Sequence, residues 1–205
     1  ELLSEERIGA EAAEINPAQA LPWPYEPAPG DTIWMGTVDS EGRSVSFIQS
    51  IYWEFGSGVV LPESGVLWQN RGISFSLNPD DLRGLAPGRK PFHTLNPALA
   101  LFNDGRTMVY GTMGGEGQPQ TQAAVFSRYA LHGMPLQQAV TAPRWLLGRT
   151  WGESSTNLKL EERFDDRLVS TLATACHDVE VLPEAFSDTM GHAGGIVRHP
   201  DGLIE

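Results

Sequence analysis

The chain has 205 residues, with 14 Lys and Arg against 26 Asp and Glu and a formal net charge of −12. This length suffices for one well-buried core, and the acidic balance argues against a nucleic-acid partner, which needs a basic surface. The single cysteine excludes an internal disulfide, and no apolar run approaches the ~20 residues of a membrane span.

The N-terminal part of the sequence predicts a helix followed by an extended segment. The helix covers residues 4–15, with Ser4 as its N-cap and Asn16-Pro17 as its stop. Five prolines between positions 17 and 29 then keep the chain extended. The sequence begins with Glu1 rather than Met, and its first residues have neither the basic start nor the apolar stretch of a signal peptide. We therefore expect the chain to be a piece of a longer protein.

Strands dominate the next part of the sequence. Residues 33–38 and 44–51 flank the turn-forming tetrad Asp39-Ser40-Glu41-Gly42 and predict a hairpin. A short strand is predicted over residues 66–69 and a loop over residues 78–91. A second hairpin is predicted from two strands, residues 94–102 and 107–111.

Helices and further short strands are predicted in the last part of the chain. The helices cover residues 119–132 and 136–142, and a third, amphipathic helix covers residues 165–177. Short strands are predicted at 158–160, 179–182 and 195–199. The third helix is expected to turn Leu168, Val169, Leu172 and Ala173 inward, with Cys176 as a packed core thiol. Hairpins followed by helices indicate an α+β class.

Two features of the sequence are suited to cleaving an amide. Thr32 stands where the proline-rich segment ends and the first strand begins, which would expose a hydroxyl nucleophile. Gly114-Gly115 could present free backbone N–H groups to a developing oxyanion. Each feature also has an ordinary explanation, because Thr is common in strands and a glycine pair is common in turns.

Five segments of the sequence carry a family resemblance. In chain order they are GDTIWMGTVDSEGRSVSFIQS, FGSGVVLPESGVLWQNRG, LAPGRKPFHTLNPAL, GTMGGEGQPQ and TAPRW. In this order and spacing, residues 32–205 resemble the small subunit of the gamma-glutamyltranspeptidase family. The QNRG and KPFHTLNP segments resemble its gamma-glutamyltransferase-like branch.

The resemblance implies a fold and a division of the chain. Members of this family are N-terminal-nucleophile hydrolases with a four-layer αββα sandwich, and they cut their own chain before a Thr. Residues 1–31 would then be the tail of the large subunit with its proline-rich linker, and residues 32–205 the catalytic small subunit. Most of the large half would be missing, and that large subunit would be the partner of this chain.

The resemblance also implies catalytic roles. Cleavage would fall between Asp31 and Thr32, and the freed α-amine, with a pKa of about 7.7–8, would act as the base. Gly114 and Gly115 match the oxyanion-stabilising glycines, and Ser50 falls where the family has a second hydroxyl near the nucleophile. The usual Thr-Thr-His opening reads Thr-Ile-Trp here. No cofactor is implied, and the five histidines show no metal-ligand spacing.

The substrate-binding positions depart from the family pattern. The residues that grip the α-ammonium of a glutamyl group are replaced by Tyr52, Arg71 and Ser74, and Arg71 would repel an ammonium. The paired serines that hold the α-carboxylate are replaced by His93 and Thr94. The alternative to a substrate-binding role for Arg71 is a structural role, in an ion pair with an acidic residue of this chain.

Three functions follow as hypotheses. The first is a self-processing hydrolase and acyltransferase (gamma-glutamyltransferase) acting on γ-glutamyl amides or related small molecules. The second is an acylase for other acidic acyl groups, such as glutaryl. The third is a silent structural subunit that never cuts itself. The sequence leaves the compartment, the natural substrate and the oligomeric state open.

Overall fold

The computed structural model describes residues 4–14, 31–53, 55–148, 150 and 155–205. The helices within these ranges are α1 (Glu5–Glu14), α2 (Gln118–Ala130), α3 (Leu136–Thr141) and α4 (Asp166–Thr174). The strands are β1 (Asp31–Val38), β2 (Ser44–Tyr52), β3 (Ala98–Leu101), β4 (Thr107–Thr112), β5 (Trp145–Leu147), β6 (Leu158–Glu161), β7 (Val179–Leu182) and β8 (Ala193–Arg198). Short 3₁₀ helices cover Arg71–Ser74, Gly115–Gly117 and Asp188–Met190.

The hairpin of β1 and β2 forms as predicted. Its turn is closed by the Asp39 carboxylate, which accepts the backbone N–H groups of Glu41 and Arg43 at 2.9 Å. Gly42 has a φ of +86°, which favours glycine at this turn position. At the other end Thr32 pairs with Ser50, and the register shifts between Asp31 and Thr32. The hairpin therefore delivers Thr32 at an irregular strand start.

A second sheet has the antiparallel order β3-β4-β8. The β1–β2 hairpin packs on β4 and β8, while α2 and α3 pack on the same sheet through a buried apolar cluster. That cluster consists of Met108, Val125, Tyr129, Leu136, Ala139 and Val197. Burying each large side chain of this kind contributes about 1.5–3 kcal/mol. One apolar core thus joins the sheet to α2 and α3, and the hairpin is held by its contacts with β4 and β8.

A third sheet, β5-β6-β7, pairs β6 and β7 in parallel. At the end of β6 the fully buried Glu161 carboxylate accepts hydrogen bonds from Arg144 and Arg163, both at 2.6 Å, and from the Ser187 backbone. Burial alone would raise the pKa of Glu161, but the hydrogen bonds from the two arginines outweigh it and lower the pKa. This ion pair network joins β6 to the segments on either side of it.

Several sequence predictions of elements are confirmed. Ser4 caps α1 by accepting the N–H of Arg7 at 3.4 Å, and α2, α3, β7 and β8 lie within two residues of their expected bounds. The proline-rich segment, residues 17–29, lies outside the described residues. No helix within the described ranges has both the length and the apolar character needed to cross a bilayer.

Other element predictions are wrong. The strand expected at residues 66–69 is only an isolated bridge between Val60 and Leu67. The strand expected from residue 94 begins at Ala98, and β5 was not anticipated because three residues show no period. Such short segments depend on their partner strand more than on their own pattern.

The last predicted helix also differs from expectation. Helix α4 ends at Thr174 and has no buried residue, and Leu168 is 43% exposed. Cys176 lies beyond the helix with a left-handed φ of +66° and is exposed, so the prediction of a packed core thiol is wrong. The sequence pattern predicts the helix and its apolar face correctly. It does not predict how far other parts of the protein cover that face.

Candidate active site

The hydroxyl groups of Thr32 and Ser50 lie side by side across the β1–β2 hairpin. Thr32 Oγ1 donates to Ser50 Oγ at 3.0 Å, and the backbone N–H of Tyr52 donates to the same Ser50 oxygen at 2.9 Å. Both hydroxyls are half-buried. Ser50 therefore fixes the orientation of the Thr32 hydroxyl at the bulged start of β1.

Tyr52 ends β2 in a conformation that is rare for a bulky residue. Its φ is +78°, in the left-handed region that costs of order 1–3 kcal/mol for such a side chain. The phenol ring lies against the Arg71 guanidinium, with 3.7 Å between Cζ and the ring centroid. The strained backbone thus accompanies a cation–π contact that holds Arg71.

Arg71 is a buried cation, only 2% exposed. Its Nη2 donates to the Thr94 hydroxyl at 3.2 Å, its backbone N–H donates to the Gln69 side chain, and its buried Nε has no hydrogen-bond partner. Among the described residues no carboxylate forms an ion pair with it, so the alternative of a structural ion pair is not met within those residues. The other predicted residue of this 3₁₀ helix, Ser74, is half-buried and makes no hydrogen bond to the cluster within the described ranges.

The charge of Arg71 affects its surroundings. Burial lowers the pKa of Arg71, while Tyr52 and Glu116 raise it, and an arginine remains charged throughout. Burial by surrounding atoms and then the Arg71 charge lower the pKa of His93, although part of this ring faces solvent. His93 is therefore neutral at pH 7, and its Nδ1 accepts the N–H of Leu95 at 3.2 Å.

The glycine pair forms the turn between β4 and α2. Gly114 and Gly115 have φ values of +126° and +49°, and Gly117 N–H donates to the Gly114 carbonyl at 2.8 Å. In the part of the chain that the structure describes, neither glycine N–H has a hydrogen-bond partner. A Cβ on either glycine would lie 3.3 Å from Thr150, a buried neighbour that sequence reasoning did not identify.

Most of the predicted site residues form one connected group. Contacts run from Thr32 through Ser50 and Tyr52 to Arg71 and on to Thr94. Glu116 directly follows the glycine pair in the chain, and its charge raises the pKa of Arg71. This electrostatic interaction links the pair to the group. No hydrogen bond joins Thr32 to either glycine within the described ranges. Nothing in the sequence pattern had indicated Glu116.

The described residues contain no group of three or more His, Cys, Asp and Glu side chains able to hold an ion. The predicted site residues themselves offer hydroxyls, backbone N–H groups and a buried guanidinium.

A family model described as Gamma-glutamyltranspeptidase matches residues 1–205. The chain belongs to this family. It is 62% identical over its full length to the oxamate amidohydrolase proenzyme of Klebsiella pneumoniae and 41% identical to the glutathione hydrolase-like YwrD proenzyme of Bacillus subtilis. In both cases the chain spans 39% of the relative's length.

Membership of the gamma-glutamyltranspeptidase family is accompanied by a shared fold. A cephalosporin acylase from Bacillus halodurans superposes with a TM-score of 0.73 at 33% identity, over 99% of this chain and 36% of the other. The chain therefore has the α+β N-terminal-nucleophile hydrolase fold and covers only part of such an enzyme. Its relatives are amidohydrolases and acylases, several of them named as proenzymes.

Proposed function

We propose that this chain provides the nucleophile of a self-processing amide hydrolase and acyltransferase, with Thr32 as that nucleophile. The observation that supports the proposal is the pair of hydroxyls, Thr32 Oγ1 and Ser50 Oγ, 3.0 Å apart at a bulged strand start. A bulge at this point re-aims the backbone, so the carbonyl of Asp31 and the hydroxyl of Thr32 can approach each other.

In the precursor the Thr32 hydroxyl attacks the carbonyl carbon of Asp31. The Asp31–Thr32 C–N bond breaks, an ester forms at Oγ1, and the nitrogen becomes the free α-amine of Thr32. Water then hydrolyses the ester and releases the residue-31 carboxylate. The cut creates a base with a pKa near 8 next to the hydroxyl that it must deprotonate.

In catalysis the α-amine takes the proton of the Thr32 hydroxyl, which attacks the amide of the substrate. Ser50 keeps that hydroxyl oriented through their hydrogen bond. The free N–H groups of Gly114 and Gly115 are the proposed donors to the tetrahedral oxyanion, where losing one donor typically costs roughly 3–4 kcal/mol. Water or another amine then accepts the acyl group.

The same proposal assigns the parts of the chain. Residues 1–31 are the tail of a large subunit, and residues 32–205 are the small catalytic subunit. Because the chain spans 39% of its curated relatives, the large subunit of the same precursor is its proposed partner.

Two acyl groups are candidates. A γ-glutamyl group follows from the family and from the 41% identical glutathione hydrolase-like relative. An acidic acyl group without an ammonium is favoured by Arg71, which stands where the family grips the ammonium. Oxamate, in the name of the 62% identical relative, has a carboxylate and no ammonium.

The test is to express the full-length precursor and its Thr32→Ala variant and to follow intact mass and N-terminal sequence. We expect the wild type to cut between Asp31 and Thr32 and the variant to stay uncut and inactive, because no hydroxyl remains to attack. Thr37→Ala, at an exposed position of the same strand, should cut normally.

Normal cleavage in Thr32→Ala would overturn the nucleophile assignment. A wild-type precursor that stays one chain after long incubation would favour the silent structural subunit instead.

A further inference from the structure

We infer that Arg71 binds a carboxylate on the acyl part of the substrate, so that the enzyme prefers monoamides of small dicarboxylic acids over γ-glutamyl amides. This inference rests on the proposed amidohydrolase function and specifies its substrate class.

The first reason is that Arg71 is a buried charge with no ion-pair partner among the residues that the structure describes. Its side chain is 2% exposed, Nε has no partner, and the hydroxyl of Thr94 is the side-chain acceptor of its guanidinium. No carboxylate pairs with it among the described residues, and Glu116 acts on it only through its field. A buried charge is costly unless it is paired, so an arriving anion would relieve that cost.

The second reason is that the guanidinium is held in place before any ligand arrives. Tyr52 covers its face at 3.7 Å and Thr94 holds Nη2 at 3.2 Å. A guanidinium whose plane is fixed offers its remaining N–H groups as a rigid fork, the geometry that suits a planar carboxylate. Little side-chain entropy is then lost on binding.

The third reason is that the cluster adjoins the proposed nucleophile. Ser50 Oγ accepts hydrogen bonds from both Thr32 and the backbone of Tyr52, and the ring of Tyr52 lies on Arg71. Tyr52 is half-buried and His93 is exposed, so the cluster reaches the surface. An acyl group attacked by Thr32 could therefore place its far carboxylate on Arg71.

The charge of the site then separates two substrates of equal length. Glutaramate and glutamine have the same chain between carboxylate and amide, but glutamine adds an α-ammonium. The guanidinium opposes that ammonium, and His93 beside it is neutral at pH 7 and offers no negative charge. In the reaction, Thr32 Oγ1 forms an ester, the amide C–N bond breaks, ammonia leaves with the hydroxyl proton, and water releases the dicarboxylate.

The experiment measures ammonia release by the full-length, self-cleaved protein from glutaramate, glutamine and the uncharged butanamide. We expect kcat/KM for glutaramate to exceed that for glutamine by at least ~10-fold. Arg71→Gln should lower kcat/KM for glutaramate roughly 10- to 100-fold, mainly through KM, since hydrogen bonds to charged groups are of that strength. Butanamide hydrolysis should change little, and Arg71→Lys should recover part of the preference.

The matched control is Arg43→Gln, which removes the same charge from an exposed arginine at the opposite end of the hairpin. It should leave all three substrates unchanged. A wild-type preference for glutamine, or an equal loss for glutaramate and butanamide in Arg71→Gln, would overturn the inference while leaving the amidohydrolase proposal intact.

A binding experiment distinguishes the carboxylate-site inference from the proposed amidohydrolase function. Calorimetric titration of the self-cleaved protein with glutarate needs no turnover and should show binding that Arg71→Gln loses. If no amide is hydrolysed but glutarate binds through Arg71, the proposed function fails and the carboxylate site stands. If glutarate binds equally to the wild type and to Arg71→Gln, or to neither, the carboxylate site is wrong. If the Gln variant does not fold, the wild-type preference and Arg71→Lys still decide.

Discussion

At the scale of single residues, Trp34 explains one departure from the family pattern. Its indole lies across three glycines, where a Cβ at Gly36, Gly111 or Gly194 would come within 2.1–2.7 Å of the ring. Its Nε1 donates to Ser46 at 2.9 Å. The tryptophan that replaces the expected histidine is thus a packing residue between the hairpin and the β4–β8 pair.

Gly111→Ala tests this packing. The new methyl would overlap the indole at 2.1 Å, and overpacking of this kind costs typically 1–3 kcal/mol, so the free energy of unfolding should fall by about 2 kcal/mol. Denaturant titration measures it. Gly72→Ala, where nothing lies within 4 Å, is the control and should change stability by less than about 0.5 kcal/mol. If Gly111→Ala and Gly72→Ala change the free energy of unfolding equally, the Trp34 indole is not tightly packed against Gly111.

Gly115→Ala tests the proposed oxyanion donors. The φ of +49° disfavours any side chain, so the variant should turn its N–H away and lower kcat roughly 100-fold with little change in KM. Gly133→Ala is the control. Gly133 has the same type of backbone conformation, at φ +65°, just beyond the C-terminal end of α2, and nothing lies within 4 Å of an added Cβ. This variant should keep its activity. If the two variants turn over substrate equally well, the glycine pair is only a turn.

At the scale of elements, the third sheet depends on one buried carboxylate. Glu161 ends β6 and ties Arg144, which precedes β5, to Arg163 and the Ser187 backbone. Its pKa is lowered in the folded state. The stabilisation is therefore present above the unfolded pKa of about 4.3 and is lost as the pH falls through the folded value.

Glu161→Gln should destabilise the protein by about 3–5 kcal/mol at pH 7, because two arginines lose their anion. The difference from the wild type should shrink as the pH falls below about 4, where the wild-type carboxyl becomes protonated. Denaturant titrations from pH 3 to pH 7 measure both values. Glu180→Gln, a 46% exposed acid of the neighbouring strand, should show neither effect. A difference that is independent of pH would mean that Glu161 acts through its shape alone.

Helix α4 shows the limit of reading an element from its period. The apolar stripe is present in the sequence, and the helix ends within three residues of its expected end. Its apolar residues nevertheless line an open groove of about 420 Å³, together with β5, β6 and Arg128. Periodicity reports which face is apolar and cannot report how much of it is covered.

At the scale of the whole molecule, the family and most of the local structure can be inferred from the amino-acid sequence. The turn of the first hairpin and the Ser4 cap of α1 depend on residues close together in the chain, so they could be predicted. The α+β class followed from the same local patterns, and the family match extends over residues 1–205.

The surroundings of each residue depend on tertiary packing and could not be inferred from the sequence. Folding places Arg71 against Tyr52 with no ion-pair partner among the described residues, leaves Cys176 exposed, and packs Trp34 against glycines of three strands. Each of these outcomes depends on contacts between residues far apart in the sequence, where packing and desolvation add up over many partners. A residue's type allows several roles, and the buried environment that selects one of them exists only after the chain has folded.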